Sequence, residues 1–130
     1  MDLGPLEYVY SPSSDVAADV RWFETVLAAE VRFAIDDGGV RVAMLRLGTD
    51  GPPMLLTDHL PDARPVFLYR VAVLQAAVAS LREHGFQAER TIELPMGPVT
   101  TFAAPGGLRL GLVQITRAFV VEGFVGRRDF

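Results

Sequence analysis

The sequence of 130 residues contains no cysteine, no lysine and no asparagine, and its twelve basic residues are therefore all arginine. Without cysteine there is no thiolate nucleophile, no thiolate metal ligand and no disulfide. Without lysine there is no Schiff base and no lysine for a phosphate-binding loop. Without asparagine there is no N-glycosylation site. These absences exclude thiol and amine chemistry.

Positive charge and long apolar runs are also scarce. The formal net charge is −4, which argues against a general nucleic-acid binder because phosphate contacts need a basic face. The first residues lack the pattern of a signal peptide, and no apolar run approaches the roughly 18 residues that span a bilayer. Half of the residues are nonetheless apolar, enough for a sizeable core. We expect a cytoplasmic globular protein without nucleic-acid or membrane partners.

The first half of the chain shows one strand, one helix and three more strands, set apart by turn residues. The predicted elements are Leu6–Tyr10, Asp15–Ala28, Val31–Ile35, Val40–Leu47 and Met54–Asp58. The helix rests on apolar residues at helical spacing, and either Ser13 or Ser14 is expected to cap its start. Asp36–Gly39 is expected to form a hairpin turn.

The second half repeats this order of elements. The predicted elements are Pro65–Val71, a helix marked by Leu74, Val78 and Leu81 and ended by Gly85, Phe86–Glu93, Val99–Ala103 and Leu108–Ile115. The sequence thus predicts an α+β fold of two tandem βαβββ modules, residues 1–60 and 61–117, in one structural domain. His59–Arg64 would link them, and residues 118–130 would form an apolar tail.

Two stretches carry a family resemblance. The stretch DVAADVRWFETVLAAE (15–30) resembles the first helix of the vicinal oxygen chelate superfamily, which includes glyoxalase, bleomycin-resistance and extradiol-dioxygenase proteins; Ala28 replaces the usual glycine. The stretch LPMGPVTTFAAPGGLRLGLVQ (94–114) resembles its closing hairpin, with Met96 in place of tryptophan. The resemblance covers about residues 6–115 and implies a curled mixed sheet that forms a cup.

The resemblance also implies where a metal would bind. Metal-dependent members carry His, Gln or Glu at four cup positions, which here are Tyr8, Leu55, Val66 and Gly111. A divalent site needs several nitrogen or oxygen ligands that converge on one point. We therefore predict no metal site and no cofactor.

The remaining cup positions suggest a binding role. Tyrosines and apolar side chains suit a flat organic ligand, and a cup-facing arginine would suit its carboxylate or phenolate. Thr100 and Phe102 join this set if the last hairpin pairs Phe102 with Arg109. The predicted ligand-binding residues are Tyr8, Tyr10, Leu55, Thr57, Val66, Leu68, Arg70, Thr100, Phe102, Arg109 and Gly111. Strand packing and rim ion pairs remain alternative roles for the tyrosines and arginines.

Three functions are compatible with these residues. The leading hypothesis is a metal-independent protein that binds a small apolar or aromatic molecule, for example by sequestering a drug or natural product. The second is a metal-independent isomerase, cyclase or lyase that uses a tyrosine hydroxyl, or Asp58 and His59, as acid or base. The third is a non-catalytic dimeric protein whose cup is filled by its own side chains. His84 is expected to interact with the end of its helix.

The tail, residues 118–130, contains more large apolar residues than a solvated end would carry. We expect it to cover its own sheet or to dock on a second subunit. The resemblance implies a homodimer.

Overall fold

The computed structural model describes residues 1–60 and 64–130, and positions 61–63 of the predicted linker lie outside the described residues. Within these ranges, the strands are β1 (Leu6–Pro12), β2 (Glu30–Asp37), β3 (Val40–Arg46), β4 (Met54–Thr57), β5 (Val66–Arg70), β6 (Arg90–Leu94), β7 (Gly97–Ala103) and β8 (Arg109–Val113). The helices are α1 (Val16–Leu27), α2 (Leu74–Glu83) and α3 (Ala118–Phe124). The predicted α+β order, a strand, a helix and three strands in each half, is confirmed.

The chain divides into two compact units. The first unit, Tyr8–Pro65 and Phe124–Phe130, places β2, β3, β4 and β1 side by side, with the β4–β1 pair parallel and the others antiparallel. The β2–β3 turn consists of Gly38 and Gly39, both with positive φ, as a two-residue hairpin turn of this kind requires. One face of this sheet packs on α1, and its core consists of Val16, Val20, Ala34, Ala43, Leu45 and Leu56.

The start of α1 differs from the prediction that Ser13 or Ser14 caps it. The carboxylate of Asp15 accepts a hydrogen bond from the Ala18 backbone N–H at 3.0 Å and is the N-cap. Because the helix begins at Val16, Ser13 lies too far ahead to cap it, and its hydroxyl instead donates to the Asp19 carboxylate at 2.6 Å.

The second unit, Met1–Glu7 and Val66–Gly123, places β5, β8, β7 and β6 side by side, with the β5–β8 pair parallel and the others antiparallel. One face of this sheet packs on α2. The core on that face consists of Val71, Leu74, Ala77, Leu81, Phe102 and Leu112.

The predicted strand Phe86–Glu93 is corrected to Arg90–Leu94. The N–H of Gly85 bonds the carbonyl of Arg82, and the N–H of Phe86 bonds the carbonyl of Leu81, as in a Schellman motif. Phe86 is thereby held against the helix end, where its ring lies 6.1 Å from that of Phe102. The apolar Phe86 therefore belongs to the helix cap and not to a strand.

The end of the tail runs along β2 within the first unit. Backbone hydrogen bonds join Gly126 N to Arg32 O, Ala34 N to Arg127 O, and Asp129 N to Ala34 O. The Phe124 ring lies 5.5 Å from Phe33, and Phe130 packs against the α1-facing core. Residues 124–130 of the tail thus lie on the sheet of the first unit, while docking of the tail on a second subunit remains a prediction.

Candidate functional site

A row of large side chains crosses the first unit on the sheet face opposite α1. Direct cross-strand partners place Phe33 beside Met44, Met44 beside Leu55, and Leu55 beside Tyr10. Cross-strand partners point to the same face, and their strand neighbours Ala34, Ala43 and Leu56 face α1 instead. Of the predicted ligand-binding residues, this face brings together Tyr8, Tyr10, Leu55 and Thr57, all buried.

The polar end of this row is a hydrogen-bonded group of three side chains. The Tyr10 hydroxyl lies 2.9 Å from His59 Nε2, and the Thr57 hydroxyl lies 2.5 Å from His59 Nδ1. Tyr10 is 3% exposed and Thr57 is 0% exposed, whereas His59 lies at the surface. The neighbouring strands β1 and β4 bring these side chains together. Tyr10 of β1 lies at the end of the apolar row, and His59 follows Thr57 of β4 by two residues. We call these three residues the Tyr10–His59 group.

Burial sets the protonation of the Tyr10–His59 group. Burial raises the pKa of the Tyr10 phenol well above its usual value, and a hydrogen bond with Thr57 opposes this only in part. Burial also lowers the pKa of His59, against the opposing charge of Asp58. A protonated phenol therefore meets a neutral imidazole, and such a pair can exchange a proton with a bound molecule or with water.

Asp58, the other acid–base residue considered from the sequence, does not join this group. Its carboxylate accepts a hydrogen bond from the Arg41 backbone N–H at 3.2 Å, which fixes it on the neighbouring strand. Adjacent strand residues point to opposite faces. The second histidine, His84, lies at the end of α2, where its Nδ1 is 2.8 Å from the carbonyl of Ser80.

In the second unit, the predicted residues Val66, Leu68 and Gly111 share the sheet face opposite α2. A Cβ added to Gly111 would lie 2.5 Å from Leu68 Cδ2 and 3.4 Å from Val66 Cγ1, so all three point to the same space. Arg70 has the same strand parity, but its side chain is largely exposed and lies 3.9 Å from the carboxylate of Glu7. It therefore occupies a solvent-facing end of this face.

The predicted placement of Thr100 and Phe102 on this face is wrong. The hairpin pairs Ala103 with Arg109 and Phe102 with Leu110, one residue away from the expected register. A shift of one residue moves a side chain to the other face. Phe102 accordingly packs in the α2-facing core. Thr101, which the sequence reasoning missed, takes the position opposite Gly111.

Arg109 lies on the same face as Gly111, two residues along β8, and it is only 6% exposed. Its Nε lies 3.8 Å from the carboxylate of Glu89, a distance beyond a hydrogen bond. Among residues 1–60 and 64–130, neither Nε nor Nη1 of Arg109 has a hydrogen-bond partner, and the same holds for the Thr101 hydroxyl. The alternation of side chains along β7 could have identified Thr101 from the sequence, but only if the pairing of β7 with β8 had been known.

The donors needed for a divalent metal are missing from the four positions that the family resemblance marks. Tyr8, Leu55, Val66 and Gly111 offer one phenol between them. In the part of the chain that the structure describes, no group of three or more His, Cys, Asp or Glu residues could hold a metal.

Known structures share this architecture. Methylmalonyl-CoA epimerase from Mycobacterium tuberculosis superposes with a TM-score of 0.67 at 20% identity, over 86% of this chain and 88% of that chain. A variant of the Streptomyces coelicolor methylmalonyl-CoA epimerase, in complex with 2-nitronate-propionyl-CoA, gives 0.66 at 19% identity, over 88% and 96%. A hypothetical protein from Bacillus halodurans gives 0.69 at 12% identity, over 84% and 92%.

The sequence itself gives no closer assignment. No family model matches the chain, and no curated protein matches it. No helix among the described residues is long and apolar enough to cross a membrane. Since these structural matches share at most a fifth of their residues with this chain, they establish its architecture alone, a glyoxalase-like fold.

Proposed function

We propose that the protein binds a small apolar or aromatic molecule without a metal, on the face of the first unit that carries Tyr10. The observation behind this proposal is the row of apolar side chains that ends at the hydrogen-bonded Tyr10 and His59. Small-molecule sites combine a mostly apolar lining with a few polar groups that fix orientation. Structural neighbours described as complexes of methylmalonyl-CoA and of 2-nitronate-propionyl-CoA use this fold to hold an organic molecule.

Native mass spectrometry of the protein purified from its host tests the proposal. We expect a retained small organic molecule, and we expect Tyr10→Phe to weaken its retention because the variant keeps the ring and loses the hydroxyl. Tyr69→Phe is the matched control, since Tyr69 packs on the α2-facing core of the second unit. A protein that carries no molecule and is not stabilised by any aromatic compound would instead support a face filled by its own side chains.

Metal independence is tested separately. We expect prolonged treatment with a chelator, followed by addition of zinc, manganese or cobalt, to leave the melting temperature and ligand retention unchanged. A stoichiometric metal that raises the melting temperature would contradict this part of the proposal.

A metal-independent enzyme is the second candidate, and the contact of Tyr10 with His59 favours it. A protonated phenol beside a neutral imidazole can donate and accept protons during an isomerisation, cyclisation or elimination. With the retained molecule as substrate, His59→Gln should abolish turnover and preserve binding if the protein is an enzyme. Equal effects on both would favour a binding protein.

A homodimer and a cytoplasmic location complete the proposal. The dimer follows from the family resemblance. Light scattering coupled to size-exclusion chromatography should give twice the mass of the 14.2 kDa chain. Fractionation of host cells tests the location.

A further inference from the structure

We propose that the second unit contains a site for the carboxylate of a small organic acid, centred on Arg109 and Thr101. The site belongs to β7 and β8 and does not depend on the Tyr10 face of the first unit. Both residues carry buried polar atoms that have no hydrogen-bond partner among the described residues.

Arg109 is buried, and two of its nitrogen atoms lack hydrogen-bond partners among the described residues. Its side chain is 6% exposed, and its Nε and Nη1 atoms have no hydrogen-bond partner in the described ranges 1–60 and 64–130. An ion removed from water costs several kcal/mol in typical proteins unless a counter-charge and hydrogen bonds compensate it. A guanidinium cannot lose its charge to escape this cost. A negatively charged group with lone pairs would satisfy both requirements.

Thr101 supplies a second unpartnered donor on the same face. It is 3% exposed, and its hydroxyl also lacks a partner among those residues. Thr101 is the cross-strand partner of Gly111, and Arg109 is the partner of Ala103, so the two side chains occupy diagonal positions. Diagonal neighbours are within reach of a long side chain such as arginine. Together they offer a charged and a neutral donor to one anion.

Glu89 lies between Arg109 and a groove at the protein surface. Its carboxylate is 3.8 Å from Arg109 Nε and partly exposed, and its backbone N–H bonds the carbonyl of Thr101 at 2.8 Å. Glu89 also lines a surface groove of about 490 Å³, together with residues 85–88, Ala103 and Pro105. The Glu89 carboxylate is therefore a weakly held internal competitor at the groove, which an incoming carboxylate would replace.

Gly111 lies beside these donors in an apolar surrounding. A Cβ at this position would also meet Val99 Cγ1 at 3.2 Å, so the neighbourhood of the two donors is apolar and closely packed. An apolar surrounding strengthens a charged hydrogen bond. It also favours the acid of an apolar or aromatic molecule over a highly hydrated anion.

The test uses sodium benzoate as the probe and benzamide as its uncharged counterpart, with binding followed by thermal shift and by the NMR signal of Arg109 Nε–H. We expect saturable stabilisation by benzoate and none by benzamide. Arg109→Gln should abolish the response, whereas Arg82→Gln, which removes the same charge from the exposed surface of α2, should preserve it.

Two further variants keep the proposal testable if Arg109→Gln does not fold. Thr101→Val should weaken benzoate binding about fivefold, as expected for the loss of one hydrogen bond. Glu89→Gln should tighten it several-fold, because the competitor loses its charge. Equal responses to benzoate and benzamide, a benzoate response that survives Arg109→Gln, or weaker binding in Glu89→Gln would each overturn the proposal.

Discussion

The hydroxyl of Tyr10 and Nε2 of His59 lie 2.9 Å apart, which joins a buried phenol to a surface imidazole. The pKa of His59 is lowered in the folded state, chiefly by burial, from an ordinary value of 6.5. The fold therefore favours the neutral ring, and its contribution to stability is present above about pH 6.5 and lost as the pH falls below it. We expect urea unfolding to show a larger loss of stability between pH 8 and pH 5 in the native protein than in His59→Gln. An equal loss in both proteins would show that His59 titrates alike in the folded and unfolded states.

Tyr10, the other member of this contact, is a buried phenol. Burial raises its pKa in the fold above the ordinary value of 10.0, so the unfolded state releases this proton first and stability declines as the pH rises beyond about 10. Absorbance titration of the phenolate should therefore show one tyrosine that ionises only on unfolding. Tyr10→Phe should remove that step and cost about 1 kcal/mol, the typical value of one hydrogen bond. Retention of the step in the variant would assign it to another tyrosine.

Sequence patterns predicted the order of the helices and strands correctly, because each of these elements depends on residues that are close together in the chain. Apolar residues at helical spacing marked α1 and α2, and adjacent glycines marked the β2–β3 turn. The same patterns wrongly placed Phe86 in a strand, because an apolar ring can pack at the end of α2 as well as in a strand. They gave no indication of α3, whose seven residues are too few for a clear periodicity.

The site was less accessible from the sequence because it depends on pairing between distant strands. Tyr10 and Thr57 were predicted from strand parity, but their link through His59 needs the parallel pairing of β1 with β4. An error of one residue in the last hairpin replaced Thr101 by Thr100 and Phe102. The alternation of side chains along a strand does not reveal such an error, because side chains alternate between the two faces in both registers.

Replacing Gly111 by alanine should destabilise the second unit. The added Cβ would lie 2.5 Å from Leu68 Cδ2 and within 3.2 Å of Val99 Cγ1, so buried side chains would have to shift. Overpacking of this kind costs roughly 1–3 kcal/mol. Gly106→Ala is the control, because nothing lies within 4 Å of its added Cβ. Chemical denaturation of both variants checks the difference, and equal stabilities would mean that the second-unit face is loosely packed.

Ala28 lies in the left-handed region, with φ of 53°, at the C-terminal end of α1. This conformation costs a residue with a side chain roughly 1–2 kcal/mol and costs glycine almost nothing. We expect Ala28→Gly to raise the free energy of unfolding by about 1 kcal/mol, after allowance for the greater freedom of glycine in the unfolded chain. Ala18→Gly, inside the same helix, should lower it by about the same amount. If both substitutions destabilise, the end of α1 relaxes out of the left-handed region at no cost.

Two kinds of interaction hold the end of the tail to the first unit. Arg128 pairs with Glu24 at 2.7 Å, and the Phe130 ring lies under the Arg41 guanidinium at 4.9 Å while it packs against the α1-facing core. The exposed ion pair contributes little in typical proteins, whereas burial of an aromatic ring contributes about 1.5–3 kcal/mol when complete.

Phe130→Ala should therefore lower stability more than Arg128→Gln, and removal of residues 124–130 should lower it further, because the edge of β2 would lose its backbone partners. An unpaired strand edge also promotes association between chains, so the truncated protein should form larger species in light scattering. Phe119→Ala is the control, since that ring is 69% exposed and should contribute almost nothing to stability. A truncated protein with unchanged melting and unchanged mass would show that the tail contributes nothing to the fold.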